Sequence, residues 1–349
     1  MIRLFEMFAG CGGASFALKR ANIGFECIGI SEIDKGAIIC FNNNFPNVMN
    51  YGDCRNINPE ELPDFDLLTG GFPCQAFSEA GKHMGELDTR GTLFHDIIRI
   101  AEAKHPKYML LENVKGLTFK NHEKTFDKIL SELDRIGYAV YWRVLNSRNY
   151  GVPQSRERVF FVCVRKDSDR GFDFPEEEQL RIHLKDIVEQ PMKDNIVSIA
   201  IRNKNRAKHQ AKGLPYGTFP RRYHLKYNED IGVSYAVKSA THEFMVGGLN
   251  DVFAANLRLE KNGKLTPKES FRYLRSKNIR ALTPRECFRL MGFLKDEINL
   301  NGLSEVQKYR IAGNGWDVNL VSKIFEQMFR AKAKEKSRMN HRQKKIISY

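Results

Sequence analysis

Long apolar runs are missing from this chain of 349 residues. No stretch approaches the roughly 18 consecutive apolar residues that a membrane span needs. The opening Met1-Ile2-Arg3-Leu4-Phe5-Glu6 enters a strand pattern without the layout of a signal peptide. The expectation is a soluble, cytoplasmic protein with no membrane partner. Cysteine is sparse as well: Cys11, Cys27, Cys40, Cys54, Cys74, Cys163 and Cys287 make an odd set of seven, with no Cys-x-x-Cys or Cys/His ligand spacing. That argues against a disulfide framework and a structural zinc site, so no metal is expected. Internal repeats are lacking. Negative charge is in deficit, with 56 Lys and Arg against 42 Asp and Glu and a formal net charge of +14. Such a balance points to a polyanionic partner, nucleic acid first.

What is present suffices for a sizeable core, since 42% of the residues are hydrophobic. The length allows one large domain or two ordinary ones. Up to about residue 165 strands and helices alternate. Strands are predicted at Ile2–Phe8, Phe25–Ile30, Phe65–Thr69, Tyr108–Glu112, Tyr138–Leu145 and Arg158–Val164, with a possible further strand before Asp53. Helices are predicted from Ala14 to about Ala21, near Lys35–Asn43, and at Thr92–Ala103 and His122–Ile136. This order predicts a doubly wound α/β sheet. Residues 168–280 are polar, basic and weakly periodic. Within them Ile201–Asn228 carries eight Lys and Arg, no acidic residue, and the interleaved Tyr216, Phe219, Tyr223 and Tyr227. A second, smaller domain of mixed fold is expected there. Thr283, Pro284 and Glu286 then read as N-cap, first position and third position of a helix. A last helix is predicted from about Asp317 to Phe329, followed by a basic tail.

Five constellations carry chemistry. Phe8-Ala9-Gly10-Cys11-Gly12-Gly13 follows the first strand, where glycines let a ligand approach the backbone closely. A dinucleotide fingerprint would need glycine at Ser15, so this is a nucleotide-type loop and a poor NAD loop; a plain tight turn is the weaker alternative. Ser31-Glu32-Ile33-Asp34 ends the second strand, where Glu32 or Asp34 suits ribose hydroxyls or simply caps a helix. Asp53 suits an adenine amino group, or a turn. Gly71-Phe72-Pro73-Cys74-Gln75-Ala76-Phe77-Ser78 sets one cysteine on a loop at the carboxyl end of a strand, the position of a nucleophile; an isolated cysteine is more often a buried structural thiol. Leu110-Leu111-Glu112-Asn113-Val114 brings Glu112 to the same sheet edge as a partly buried acid, or as a structural partner of an arginine. Gln154-Ser155-Arg156-Glu157-Arg158 alternates Gln154, Arg156 and Arg158 onto one face, fit to bind an oxygen or phosphates, or to be a solvated edge.

Taken together and in this order, the motifs resemble those of the DNA (cytosine-5) methyltransferases of bacteria and phages. Asp88-Thr89-Arg90-Gly91-Thr92-Leu93-Phe94, Arg280-Ala281-Leu282-Thr283-Pro284-Arg285-Glu286 and Gly313-Asn314 extend the resemblance over nearly the whole chain. It implies a Rossmann-like S-adenosylmethionine domain over residues 1–178, completed by 281–330. It also implies a target-recognition domain over 179–280 and leaves a tail over 331–349. The implied catalytic residues are Cys74, which attacks C6 of cytosine, Glu112, which holds or protonates N3, and Arg158 on O2 with Arg156 as second candidate. The implied cofactor residues are Phe8, Gly10, Gly12, Glu32, Ile33, Asp53, Cys54, Pro73, Leu93 and Asn314. Two positions depart from the family: Ile33 stands where many members place an aromatic residue against the adenine. Gly315-Trp316 stands where many carry a small hydroxyl residue and valine. The implied partner is double-stranded DNA, entered by base flipping, with the loop from Ser78 to Arg90 closing over the base. The enzyme is expected to be a monomer paired with a restriction endonuclease without stable contact. An RNA cytosine-5 methyltransferase of the same fold is the rival. A binding module without an active site is disfavoured by Cys74, Glu112 and Arg158 together. An exocyclic-amino methyltransferase is disfavoured because no (Asp/Asn)-Pro-Pro-aromatic tetrapeptide occurs.

Overall fold

A computed structural model describes residues 1–72, 93–189, 196–203, 223–227, 234–235, 244–248, 280–295 and 297–329. The expectations for Pro73, Cys74, the loop from Ser78 to Arg90, most of the basic stretch 201–228 and the tail 331–349 lie outside the described residues.

Six strands form the central sheet: β1 (Ile2–Met7), β2 (Phe25–Ser31), β3 (Leu67–Gly71), β4 (Tyr108–Val114), β5 (Tyr138–Asn146) and, after the two-residue β6 (Gln154–Ser155), β7 (Glu157–Arg165). Their spatial order is β2-β1-β3-β4-β7-β5. The pairs β1–β2, β1–β3 and β3–β4 are parallel, whereas β7 runs antiparallel to both neighbours. Helices α1 (Gly13–Arg20), α2 (Lys35–Asn44), α3 (Leu93–Lys104) and α4 (Glu123–Arg135) alternate with the strands. The predicted elements are all found, with ends shifted by a residue or two. The exception is the possible strand before Asp53, where only an isolated parallel bridge, Ile30 to Asn50, forms. There the Asn50 side chain bonds the backbone of Glu32 and Gly52, and Gly52 takes a positive φ of 73°, which ends extended pairing.

Both faces of the sheet are covered, which is why its strands read as continuous apolar runs rather than alternating ones. Leu4, Leu67, Leu110 and Phe160 enter one core, together with Phe16, Leu18, Val321 and Phe325. Their chain neighbours Phe5, Leu68, Leu111 and Phe161 enter the other, with Ile97, Ile100, Phe126, Ile129 and Leu133. The period of two along the strands sorts the side chains into these layers.

After β7 a short helix α5 (Leu184–Ile187) buries Leu184 and Ile187 in the first core. Strands β8 (Ile196–Asn203), β9 (Tyr223–Tyr227), β11 (Phe244–Gly248) and β12 (Arg280–Ala281) form a separate antiparallel sheet in the order β12-β11-β8-β9. The two-residue β10 (Ser234–Tyr235) pairs with β6. The chain then returns to the large sheet through α6 (Pro284–Leu290), α7 (Glu305–Asn314) and a helix α8 over residues 318–329. At α6 the expected capping box forms, with Thr283 accepting from Glu286 N and the Glu286 carboxylate accepting from Thr283 N. In α8, Val318, Val321, Ile324, Phe325 and Met328 are buried.

Candidate active site

The carboxyl ends of β1, β3 and β4 lie side by side, and the register pairs Met7 with Gly70 and Gly71 with Glu112. A pocket opens at the end of β1, lined by Glu6 to Cys11, Gly13, Ala14, Thr69, Gly71, Asn314, Gly315 and Trp316. Phe8 and Gly10 both hold left-handed backbone, with φ of 54° and 58°. A side chain on Gly10 would meet nothing within 4 Å, so this glycine serves the turn and leaves the space above it free. At Gly12 a Cβ would lie 2.8 Å from the Phe45 ring and 3.0 Å from that of Phe41, so packing also requires glycine there.

Helix α1 has no side-chain cap of its own at Gly12. Glu6 supplies one from inside β1: its carboxylate accepts from Ala14 N at 3.3 Å, Ser15 N at 3.0 Å and the Ser15 hydroxyl. Burial pushes its pKa up to about 7, against the lowering effect of these Ser15 and Ala14 bonds. The only sequence signal for Glu6 was an acid at a strand position otherwise filled by apolar side chains.

Glu32 accepts from Gly10 N at 2.9 Å through Oε2, and from Ile33 N and Asp34 N through Oε1. It thereby fixes the glycine loop to the end of β2. Asp34 is the capping acid: it receives Ala37 N at 3.0 Å and an ion pair from Arg310 at 2.7 Å. The segment carrying Asp53 and Cys54 is tethered beside Glu32, through Ser31 Oγ on Gly52 O and Asn50 on the Glu32 backbone. Asp53 itself pairs with Arg55, which lowers its pKa, and Cys54 is buried. Ile33 is 67% exposed and does not line the pocket. Leu93, at the start of α3, packs half-buried on the second core.

The acidic and arginine motifs gather one strand over. Glu112 is paired with Arg158 at 2.8 Å. Burial raises the Glu112 pKa, and Arg158 and Arg156 oppose that rise. Asn113, the next residue, donates from Nδ2 to Phe72 O at 2.9 Å, which anchors the entry to Pro73-Cys74. Sequence reasoning named the motif but gave Asn113 no part.

Gln154, Arg156 and Arg158 do not share a solvent-facing edge. Gln154 is buried and donates to Leu290 O. Arg156 is buried and donates to Gly313 O at 3.2 Å and Gly315 O at 2.9 Å. These carbonyls flank Asn314, so Arg156 holds the closing loop. Burial lowers its pKa to about 9, which leaves it charged at neutral pH. Among the described residues its side chain bonds the closing loop rather than an open edge.

The residues at the end of β1 and β2 suit the methyl donor that a loop of this kind serves: a pocket, free space above Gly10, and Asn314 brought in by α7. An open α/β sheet with its ligand site at the carboxyl ends of the strands, plus one reversed strand, is the Rossmann-like architecture of S-adenosylmethionine-dependent methyltransferases. The chain belongs to the C-5 cytosine-specific DNA methylase family, which it matches over residues 2–330, and is a cytosine-5 DNA methyltransferase using S-adenosylmethionine. It is 34% identical over 334 residues to the type II methyltransferase M.NlaX of Neisseria lactamica, covering 94% of this chain and 96% of that one. It is also 34% identical over 342 residues to the type II methyltransferase M.NgoBI of Neisseria gonorrhoeae, covering 96% of each. The crystal structure of Spodoptera frugiperda DNMT2 superposes with a TM-score of 0.67 at 20% identity, covering 94% of this chain and 100% of that one, and shows the shared fold. Among the described residues no helix is long and apolar enough to cross a membrane, and no cluster suits a metal ion.

Proposed function

We propose that the protein methylates cytosine within one short duplex sequence, by flipping the base out and attacking it with Cys74, as the modification enzyme of a restriction-modification system. The observation that carries this reading is the meeting at Gly71. The donor pocket lies on one side, Glu112 with Arg158 on the other, and the strand leads through Phe72, held by Asn113, into Pro73-Cys74.

The chemistry follows from the ring. Cytosine C5 is a poor nucleophile, so the Cys74 thiolate adds to C6 and makes C5 an enamine carbon. Glu112, whose proton affinity burial raises against the pull of Arg158 and Arg156, holds or protonates N3 as charge develops there, and Arg158 orients O2. S-adenosylmethionine supplies the methyl group as an electrophile on a sulfonium. The nucleophilic C5 takes that methyl, the C5 proton leaves to a base, and expulsion of the Cys74 thiolate restores the double bond. Phe8, Gly10, Glu32, Ile33, Asp53, Cys54, Pro73, Leu93 and Asn314 hold the donor. Gly12 shapes its loop, and Arg156 positions Asn314. Residues 1–178 with 281–330 form the catalytic unit, and residues 179–280 read the target, with Leu184 and Ile187 seated on the catalytic core. The enzyme works as a cytoplasmic monomer on duplex DNA and makes no stable contact with an endonuclease. The family and the type II relatives favour DNA over RNA as substrate.

The test is expression in a host lacking cytosine methylation, followed by bisulfite sequencing. Protected cytosines in one short context are expected with the wild type and none with Cys74→Ser. Protection that survives Cys74→Ser would overturn the nucleophile assignment, and an unprotected genome from folded wild type would overturn the DNA reading.

A further inference from the structure

The two departures from the family differ in where they lie. Position 33 carries an exposed isoleucine in place of a ring, while position 316 carries a ring that lines the donor pocket. The chain makes room for that ring with glycines. The Trp316 Cβ lies 3.2 Å from where a Gly13 Cβ would be, and its Nε1 lies 2.8 Å from where a Gly71 Cβ would be. The indole thus reaches from the first turn of α1 to the end of β3. Phe160 supports it from within the sheet, edge-on at 6.4 Å. Its backbone is held through Gly315 O by Arg156.

In the donor site proposed above, this placement falls toward the reacting end. Thr69 and Gly71 line the pocket, and Gly71 is also the cross-strand partner of Glu112. Methyl transfer has to cross this boundary. The donor's sulfur is cationic before transfer and a neutral thioether after it. An indole that turns its face to a cation stabilises the charged form through its quadrupole.

We propose that Trp316 is a specificity-determining wall of the donor site, which favours the sulfonium over the thioether product. This rests on the donor site proposed above. Trp316 and Trp142 are the two tryptophans of the chain, and Trp142 lies on β5 against Phe126, 45% exposed. In a Trp142→Phe background, indole emission therefore reports position 316 alone.

The experiment titrates that protein with S-adenosylmethionine and with S-adenosylhomocysteine, by emission and by calorimetry, and repeats the calorimetry with Trp316→Phe and Trp316→Val added. Emission is expected to change with the calorimetric Kd. The preference for sulfonium over thioether should fall on the order of fivefold in Trp316→Val and be largely kept in Trp316→Phe. An unchanged preference in a folded Trp316→Val protein would overturn the proposal, as would equal loss in both variants. If Trp316→Val does not fold, the Trp142→Phe protein still decides: saturable heat without an emission change places the indole away from the ligand. Absence of calorimetric binding in that parent would sink the donor site itself, a different failure.

Discussion

Adding one methyl group at position 71 separates two neighbouring glycines. In Gly71→Ala the new Cβ would stand 2.8 Å from Trp316 Nε1 and 3.3 Å from Glu112 Oε2, whereas in Gly70→Ala the nearest atoms lie at 3.5 and 3.6 Å. Methyl transfer should fall about tenfold or more in the first, because misplacement near the reacting atoms is costly, and remain near wild type in the second. Steady-state assays with labelled donor check this. At Glu6 the consequence is a pH dependence. Its carboxyl titrates near 7 when folded, against an ordinary value of 4.5. Between those values the native state keeps a proton that the unfolded chain has lost, so this residue's contribution to stability falls as pH rises through that window. The thermal midpoint should therefore drop less between pH values of about 5 and 8 in Glu6→Gln than in the wild type, measured by calorimetry. Neither residue was legible from the sequence. Gly71 read as part of a turn, and the partners of Glu6 became visible only once α1 was placed over β1.

At the scale of elements, local signals were read well and crossed ones poorly. Thr283-Pro284-Arg285-Glu286 announced its own helix, because every partner in a capping box lies within one turn. The parallel strands were legible because burial on both faces leaves unbroken apolar runs. Arg156 could not be read, since its acceptors at Gly313 and Gly315 lie in another element far along the chain, and period-two alternation assigned it to an open face. Asn113 was opaque for the same reason. Replacing Arg156 by methionine should leave buried carbonyls unpaired, at a cost of about 1–3 kcal/mol. It should also weaken donor binding more than it alters affinity for duplex. Asn113→Ala should release Phe72 O and lower turnover while the donor Kd stays within about twofold, the split expected when a catalytic loop loses its orientation. Chemical denaturation and calorimetry read these outcomes.

Over the whole molecule, charge and topology act separately. The excess of +14 is a statement about partners, and duplex affinity should fall at least tenfold between roughly 50 and 200 mM salt as phosphate contacts release counterions. A flat response in a binding titration would remove phosphate neutralisation from the account. The proposed division of the chain rests on composition, because polar, basic sequence interrupts the strand-helix alternation; no periodicity marks the side chains that would read bases.

The pocket wall comes last in the order of synthesis. A growing chain that has emerged as far as residue 280 already holds the glycine loop, Glu112 and Arg158, but not Asn314 or Trp316. Leu110, Phe160 and Val162 then lack the cover of Val321, Ile324 and Phe325, which share their core. With the proposed donor site, capture of the donor waits on the final helices, so the ribosome completes residues 179–280 before the enzyme can hold a methyl group to transfer.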